Sequence, residues 1–329
     1  FHPLWCLGAQ RKGMVIYMST YKDADEPIEI DLHLDELIEK SRDGTVKNID
    51  FTKIWCNVAL LPAYRIEYII TSSAHTRAGY NSDEAVIYGL LVRLFKLLCF
   101  QRRIVCKQLM TTTLAAFFER MILEGIVNIE YFIKNFDEHL LNNLRLNSLK
   151  AEAFFEEAIR EDIAKNAGQS SDWQERLLGS IYDTYKKTNS SYEEVRSTKI
   201  KLPPISEKFR STGNQKLYDV SYRTKCHDIH GDWVDLALNY LTFDNEASRF
   251  SPNFQEFQAD IRQLNPPLII CCEMLKKFLQ DFSGHELPHS LYDEINEDQR
   301  IILFLDKMHF NFVNKRDLFD GIDTSFYES

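Results

Sequence analysis

Residues 217–240 read LYDVSYRTKCHDIHGDWVDLALNY and carry the side chains best suited to chemistry. On a helix, Arg223, His227 and His230 fall at i, i+4 and i+7 and share one face, with Tyr218 and Tyr222 as a neighbouring i, i+4 pair. A guanidinium offers a rigid fork of donors that matches a phosphate diester. An imidazole titrates near neutrality and can take a proton from a 2′-hydroxyl. Together the two groups suffice for metal-free RNA cleavage, in which the 2′-oxygen attacks its own phosphate. The spacing by itself favours a purely structural role, in which Arg223 would pair with an acid such as Asp219 at i−4 and the histidines would fill a polar gap between helices.

Competing chemistries find less. Cys226, His227, His230 and Asp232 are metal-ligand types, and His227-Asp228 matches the middle of a His…His-Asp…Asp hydrolase pattern. That pattern needs an upstream His on a neighbouring helix, and nothing singles out His139 for the part. Cys271 and Cys272 are adjacent, so a helix points them apart. Gly-x-Ser-x-Gly, Gly-x-x-x-x-Gly-Lys and Gly-x-Gly-x-x-Gly are all absent. The expectation is a protein with no metal and no cofactor.

The segment Tyr222-Arg223-x-x-Cys226-x-x-x-His230-Gly231 resembles the Tyr-Arg-x-x-Ser-x-x-x-His-Gly stretch of a bacterial family, domain-of-unknown-function family 5677, with Cys226 where that family tends to have Ser. Arg223 to His230 also resembles the Arg-x4–6-His signature of the all-helical HEPN superfamily. A second match lies in FFERMILEGIVNIEYF, where Arg120, Glu124, Asn128 and Tyr131 form a polar stripe on an otherwise apolar helix and resemble that family's earlier helix. Buried polar groups need partners, and the later Arg/His helix is the natural one.

The resemblance covers roughly residues 81–285. It implies a metal-independent endoribonuclease of a defence or stress system, toxin-like or abortive-infection-like. Arg223 would hold the phosphate and His230 would act as general base. His227 and Glu124 would orient or stabilise, with Arg120, Asn128, Tyr131 and Tyr222 supporting. It also implies a symmetric homodimer and a partner or antitoxin protein. Its alternative is a non-catalytic helical interaction or sensor module in which Arg223 and His230 are structural.

Charge distribution bears on the same segment. The chain is acidic, with a net charge of −10, so its overall field repels phosphates and membranes. Between Arg196 and Lys225, however, eight basic residues face only Glu207 and Asp219. Lys199, Lys201, Lys208, Arg210, Lys216 and Lys225 are therefore candidates for contacting RNA phosphates. The competing reading is a solvated connector whose charges pair with the acidic remainder.

The elements that must position these residues are helices. Gly (12) and Pro (9) are scarce for a chain of 329 residues, while hydrophobic residues make up 44%. The sequence therefore predicts an all-α fold, a HEPN-like bundle over 81–285 with a helical N-terminal extension (1–80) and a helical C-terminal tail (286–329). Residues 1–17 lack a coherent apolar period, and Met18 offers a natural start, so 1–17 are expected to be non-native.

Periodicity predicts a short helix over Asp31–Ser41, two pieces across Ile54–Arg77 divided at Pro62, and a helix from about 83 to 100. A kink at Gln101–Arg103 should then lead into a helix over 104–134. Phe154 to Ile163 is helical with Gly168 as its C-cap, and Ser171 with Gln174 makes a capping box. That box opens an apolar stripe of Trp173, Leu177, Leu178, Ile181, Tyr182 and Tyr185, read as core. A polar connector spans 188–214, one helix covers Gln215–Leu241, 242–264 is irregular, and Asn265-Pro266-Pro267 opens a helix ending at Gly284. Asp298–Phe312 closes the series.

The seven cysteines include no C-x-x-C pair and mostly lie in apolar stretches, as expected of reduced, buried thiols in the cytoplasm. The most apolar run, Ala85–Phe100, contains Arg93 and Lys96 and is too short to span a bilayer.

Overall fold

Helix dominates because the chain has few breakers and many period-3.6 stripes. The computed structural model describes residues 32–72, 79–199, 201–230, 232–282 and 287–322. Among the described residues 72% are helical and two short strands occur, so the fold is all-α. Residues 1–17 and Gly284 lie outside the described part.

The helices are α1 (Leu34–Arg42), α2 (Asn48–Val58), α3 (Leu60–Ser72), α4 (Glu84–Cys106), α5 (Thr112–Lys134), α6 (Glu138–Ser148), α7 (Lys150–Lys165), α8 (Asp172–Lys187), α9 (Tyr192–Ser197) and α10 (Ile205–Ser211). After them come α11 (Gln215–Leu217), α12 (Lys225–His230), α13 (Trp233–Asp235), the hairpin β1 (Leu241–Asp244) and β2 (Arg249–Pro252), α14 (Ile261–Asp281) and α15 (Ser290–Val313). Two compact units share them. The first joins residues up to Ser73 with Leu91–Ile126 and Asp219 onward; the second holds Ala74–Leu90 and Val127–Tyr218.

In the first unit α14 and α15 pack together, and α2 and α3 pack on the pair. Phe51, Trp55, Leu268, Phe278, Ile302 and Leu305 are buried there. Arg65 of α3 forks onto Asp298 of α15, with Nε to Oδ2 at 2.6 Å and Nη2 to Oδ1 at 3.1 Å, and also reaches Glu294. His309 Nε2 meets Asn48 Oδ1 at 2.7 Å, and its ring lies edge-on to Phe51. The N-terminal and C-terminal helices thus complete one core with α14. Where α5 crosses α4, Gly125 leaves room for Arg93 and Leu94, which an added Cβ would touch.

In the second unit Leu149, Ala153, Ile159, Ile181, Tyr185 and Val195 form a small core of α7, α8 and α9. The Ser171–Gln174 capping box opens α8 as expected, and Gly168 ends the α7 region with a positive φ of 79°. Ile181 and Tyr185 are buried, but Trp173 and Tyr182 at the outer edge of the stripe are exposed, because the neighbouring helices cover only its centre.

Several boundaries differ from expectation. α4 runs unbroken through Gln101–Arg103, since Gln101 is buried and Arg102 Nε donates to the Cys56 carbonyl. The break comes at 107–111, where Gln108 takes a positive φ of 56°. The α4 cap is Asn81, whose Oδ1 accepts from Asp83 and Glu84. The break in 54–77 falls at Ala59, leaving Pro62 in the first turn of α3, where its missing N–H costs nothing. The 188–214 connector contains α9 and α10. α14 starts at Ile261, capped by Asp260 with Gln263, and carries Pro266 and Pro267 inside it. In 242–264, expected to be irregular, Leu241–Asp244 pairs antiparallel with Arg249–Pro252.

Candidate functional site around Arg223 and His230

The 215–241 stretch is not one helix. α11 runs into a π-helical turn, Tyr218–Tyr222, and Arg223–Thr224 form a turn before α12. Thr224 Oγ1 helps end that turn by donating to the Val220 and Ser221 carbonyls at 2.7 and 2.9 Å. A single regular face carrying Arg223, His227 and His230 is therefore absent; only His227 and His230 share α12, at i, i+3.

Tyr222 fixes this turn. It is buried, its hydroxyl donates to Glu124 Oε2 at 3.2 Å, and the Arg120 guanidinium lies 4.9 Å from its ring centre. Burial, reinforced by the Glu124 charge, pushes the Tyr222 hydroxyl up to about 12. Lys225 Nζ pairs with Glu119 of α5 at 3.5 Å. The α5 stripe thus does meet the later segment through Tyr222, with Glu119 beside the stripe adding the pair to Lys225; among the described residues Arg223 and the histidines make no such contact.

Arg223 and His230 are both exposed, and neither side chain has a hydrogen bond or ion pair among the described residues. His227 differs. Its Nδ1 contacts Asp232 Oδ2, while Asp232 Oδ1 caps α13 by accepting from Val234 N at 3.0 Å and Asp235 N at 3.3 Å. The hydrogen bond from His227 holds the Asp232 carboxyl below its ordinary range. With Nδ1 on the carboxylate, Nε2 makes no hydrogen bond among the described residues. Sequence reasoning weighed Asp232 only as a metal ligand. The signal for its real place was an Asp directly before Trp233-Val234-Asp235, an N-cap pattern.

The other named residues lie in the second unit, apart from Lys225. Asn128 accepts from Lys208 Nζ at 2.7 Å, and the same ammonium lies 5.7 Å from the Tyr131 ring. Lys208 is buried, so its charge is committed inside the protein and does not face a phosphate. Lys199, Lys201, Arg210 and Lys216 are exposed. No three His, Cys, Asp or Glu side chains gather in a metal-binding arrangement among the described residues.

A family model matches residues 84–248, its description being a family of unknown function. The chain belongs to DUF5677. The DUF5677 region runs from the start of α4 to the turn of the hairpin, and so contains the Tyr222–Glu124 contact and the His227–Asp232 pair. No curated protein and no solved structure matches the chain.

The surface at the far end of the DUF5677 region, together with the strand just beyond it, is apolar. Trp233 (59% exposed), Leu238 (70%), Phe243 and Phe250 all face solvent, and Phe250 packs its ring edge on Trp233 and tilts against Phe243. A two-stranded hairpin with such a face is marginal on its own. No described helix is long and apolar enough to cross a membrane.

Proposed function

We propose that the chain is a metal-independent endoribonuclease of a cytoplasmic defence or stress system. The observation that carries this is the pair of uncommitted, solvent-facing groups, Arg223 and His230, next to a histidine oriented by a carboxylate. Arg223 would hold the scissile phosphate. His230 would take the 2′-hydroxyl proton as the 2′-oxygen bonds to phosphorus. His227, oriented by Asp232, would give a proton to the departing 5′-oxygen as its bond to phosphorus breaks. Tyr222, Glu124 and Arg120 would position the turn that presents Arg223. The resemblance to the HEPN signature supports the same roles, and a symmetric homodimer would bring two such segments together over the apolar hairpin.

The test uses purified protein, single-stranded RNA and a chelator. Products should end in 2′,3′-cyclic phosphate. His230→Ala should lose about 10²–10⁴-fold in rate, Arg223→Ala should lose activity similarly, and Cys226→Ser should be nearly silent. Cleavage that survives His230→Ala, or that requires a divalent metal, would overturn the mechanism.

A second reading, a non-catalytic interaction module, is favoured by one feature. The exposed Trp233–Phe250 hairpin is a surface of the kind that binds protein, such as an antitoxin. Complete absence of RNA cleavage, with a partner lost on Trp233→Ala, would select it.

A further inference from the structure

We infer that the cleft between α1 and α2 is a binding site for a free amino acid with an aliphatic side chain. The inference is independent of the ribonuclease reading, and both helices precede the DUF5677 region. The cleft holds a cavity of about 260 Å³. That is just below the usual range for small-molecule sites, about 300–1,000 Å³, and suits a ligand of a few heavy atoms. One contact sets its layout. Lys40 of α1 reaches Asp50 of α2, Nζ to Oδ1 at 3.0 Å, across the short turn 43–47, so the two helices run antiparallel. One turn back along α1 and one turn on along α2, Glu36 and Leu37 meet Lys53 and Ile54 across the cavity. A further turn in each direction brings His33 and Asn57 to its far end.

The lining has three parts. At the Lys40 end two carboxylates share one ammonium, because Lys40 Nζ also meets Glu36 Oε1 at 2.7 Å. Both carboxylates stay ionised. The hydrogen bond from Lys40 holds Glu36 below its ordinary range. Burial works to raise Asp50, but the hydrogen bonds from Lys40 and from the Lys47 backbone N–H outweigh it and hold that carboxyl low as well. This end therefore carries one negative charge in excess and can receive an ammonium. Lys53, one turn along α2, is exposed and has no hydrogen bond or ion pair among the described residues, so its ammonium can receive a carboxylate. Between them Leu37 (1% exposed) and Ile54 (5%) form an apolar floor. An anion alone would face the excess carboxylate, and a cation alone would face Lys53. A zwitterion with an aliphatic branch satisfies the carboxylates, the free ammonium and the floor together, and in doing so bridges α1 to α2.

The experiment titrates the purified full chain with L-leucine by isothermal calorimetry and follows thermal unfolding over the same concentrations. The expected result is saturable binding with a Kd on the order of 1 mM or below, and an unfolding midpoint that rises with leucine. Three analogues read the three parts of the lining: N-acetyl-leucine lacks the ammonium, leucinamide the carboxylate and glycine the side chain. Each should bind at least about tenfold more weakly, the loss expected when one charge-assisted hydrogen bond or one buried apolar group is removed. Glu36→Gln and Lys53→Gln change exposed side chains, so the helical circular dichroism of the free chain should be retained while leucine binding weakens by a similar factor. Absence of saturable leucine binding would overturn the inference. So would an analogue that binds as tightly as leucine, or leucine binding that is unchanged in both variants.

Discussion

Tyr222 donates its hydroxyl to the Glu124 carboxylate across 3.2 Å, joining two residues 98 positions apart. The bond faces inward while the next residue, Arg223, faces out. A π-helical turn with its buried aromatic pinned in this way holds the Arg223 side chain clear of any partner among the described residues. The arrangement separates the groups that build the segment from the groups free to act.

Tyr222→Phe keeps the ring under Arg120 and removes only the hydroxyl. The expected cost is about 1 kcal/mol, read as a lower urea midpoint with an unchanged slope. A cost near zero would mean that the hydroxyl does not anchor the turn.

Arg223→Ala and His230→Ala should each change unfolding free energy by less than about 0.5 kcal/mol, because both side chains are exposed and uncommitted. Urea titrations of the two variants check this. A larger loss in either would assign that residue a structural role.

Arg65→Met should be severe. Asp298 is fully buried, and its carboxylate would be left without its forked partner, at a cost of about 3–5 kcal/mol. Adding Asp298→Leu should restore much of that loss, since the uncompensated charge is then gone. Thermal unfolding of the single and double variants distinguishes the two. A double variant no better than Arg65→Met would contradict the account.

His309 makes stability depend on pH. Burial lowers its pKa from 6.5 to about 4, so the folded ring stays neutral while the unfolded chain's ring charges below 6.5. The unfolded state then binds the extra proton. The contribution is fully present above 6.5 and is lost as pH falls toward 4, a span on the order of 3 kcal/mol. Denaturation of the parent chain and of His309→Gln at pH 7 and pH 5 should show the parent losing more, by about 2 kcal/mol. Equal losses would place the titration elsewhere.

The all-α class, the Ser171–Gln174 box, the Gly168 turn and the existence of nearly every long helix were legible in the sequence, because caps, breakers and apolar periods act within a few residues of one another. The polar stripe at Arg120 and Glu124 was legible too, as a demand for a partner in the later segment. Which residue answered it was not. Tyr222 has the same local pattern as its neighbours, and only the packing of α5 against the turn selects it over Arg223. The unbroken passage of α4 through Gln101–Arg103 likewise depends on Arg102 finding the Cys56 carbonyl, a contact 46 positions away. The turn at Arg223–Thr224, the His227–Asp232 contact and the burial of Lys208 beside Asn128 share that origin. Local propensity decides that a helix forms; where remote side chains come to rest against it decides where it breaks and which of its charges remain free.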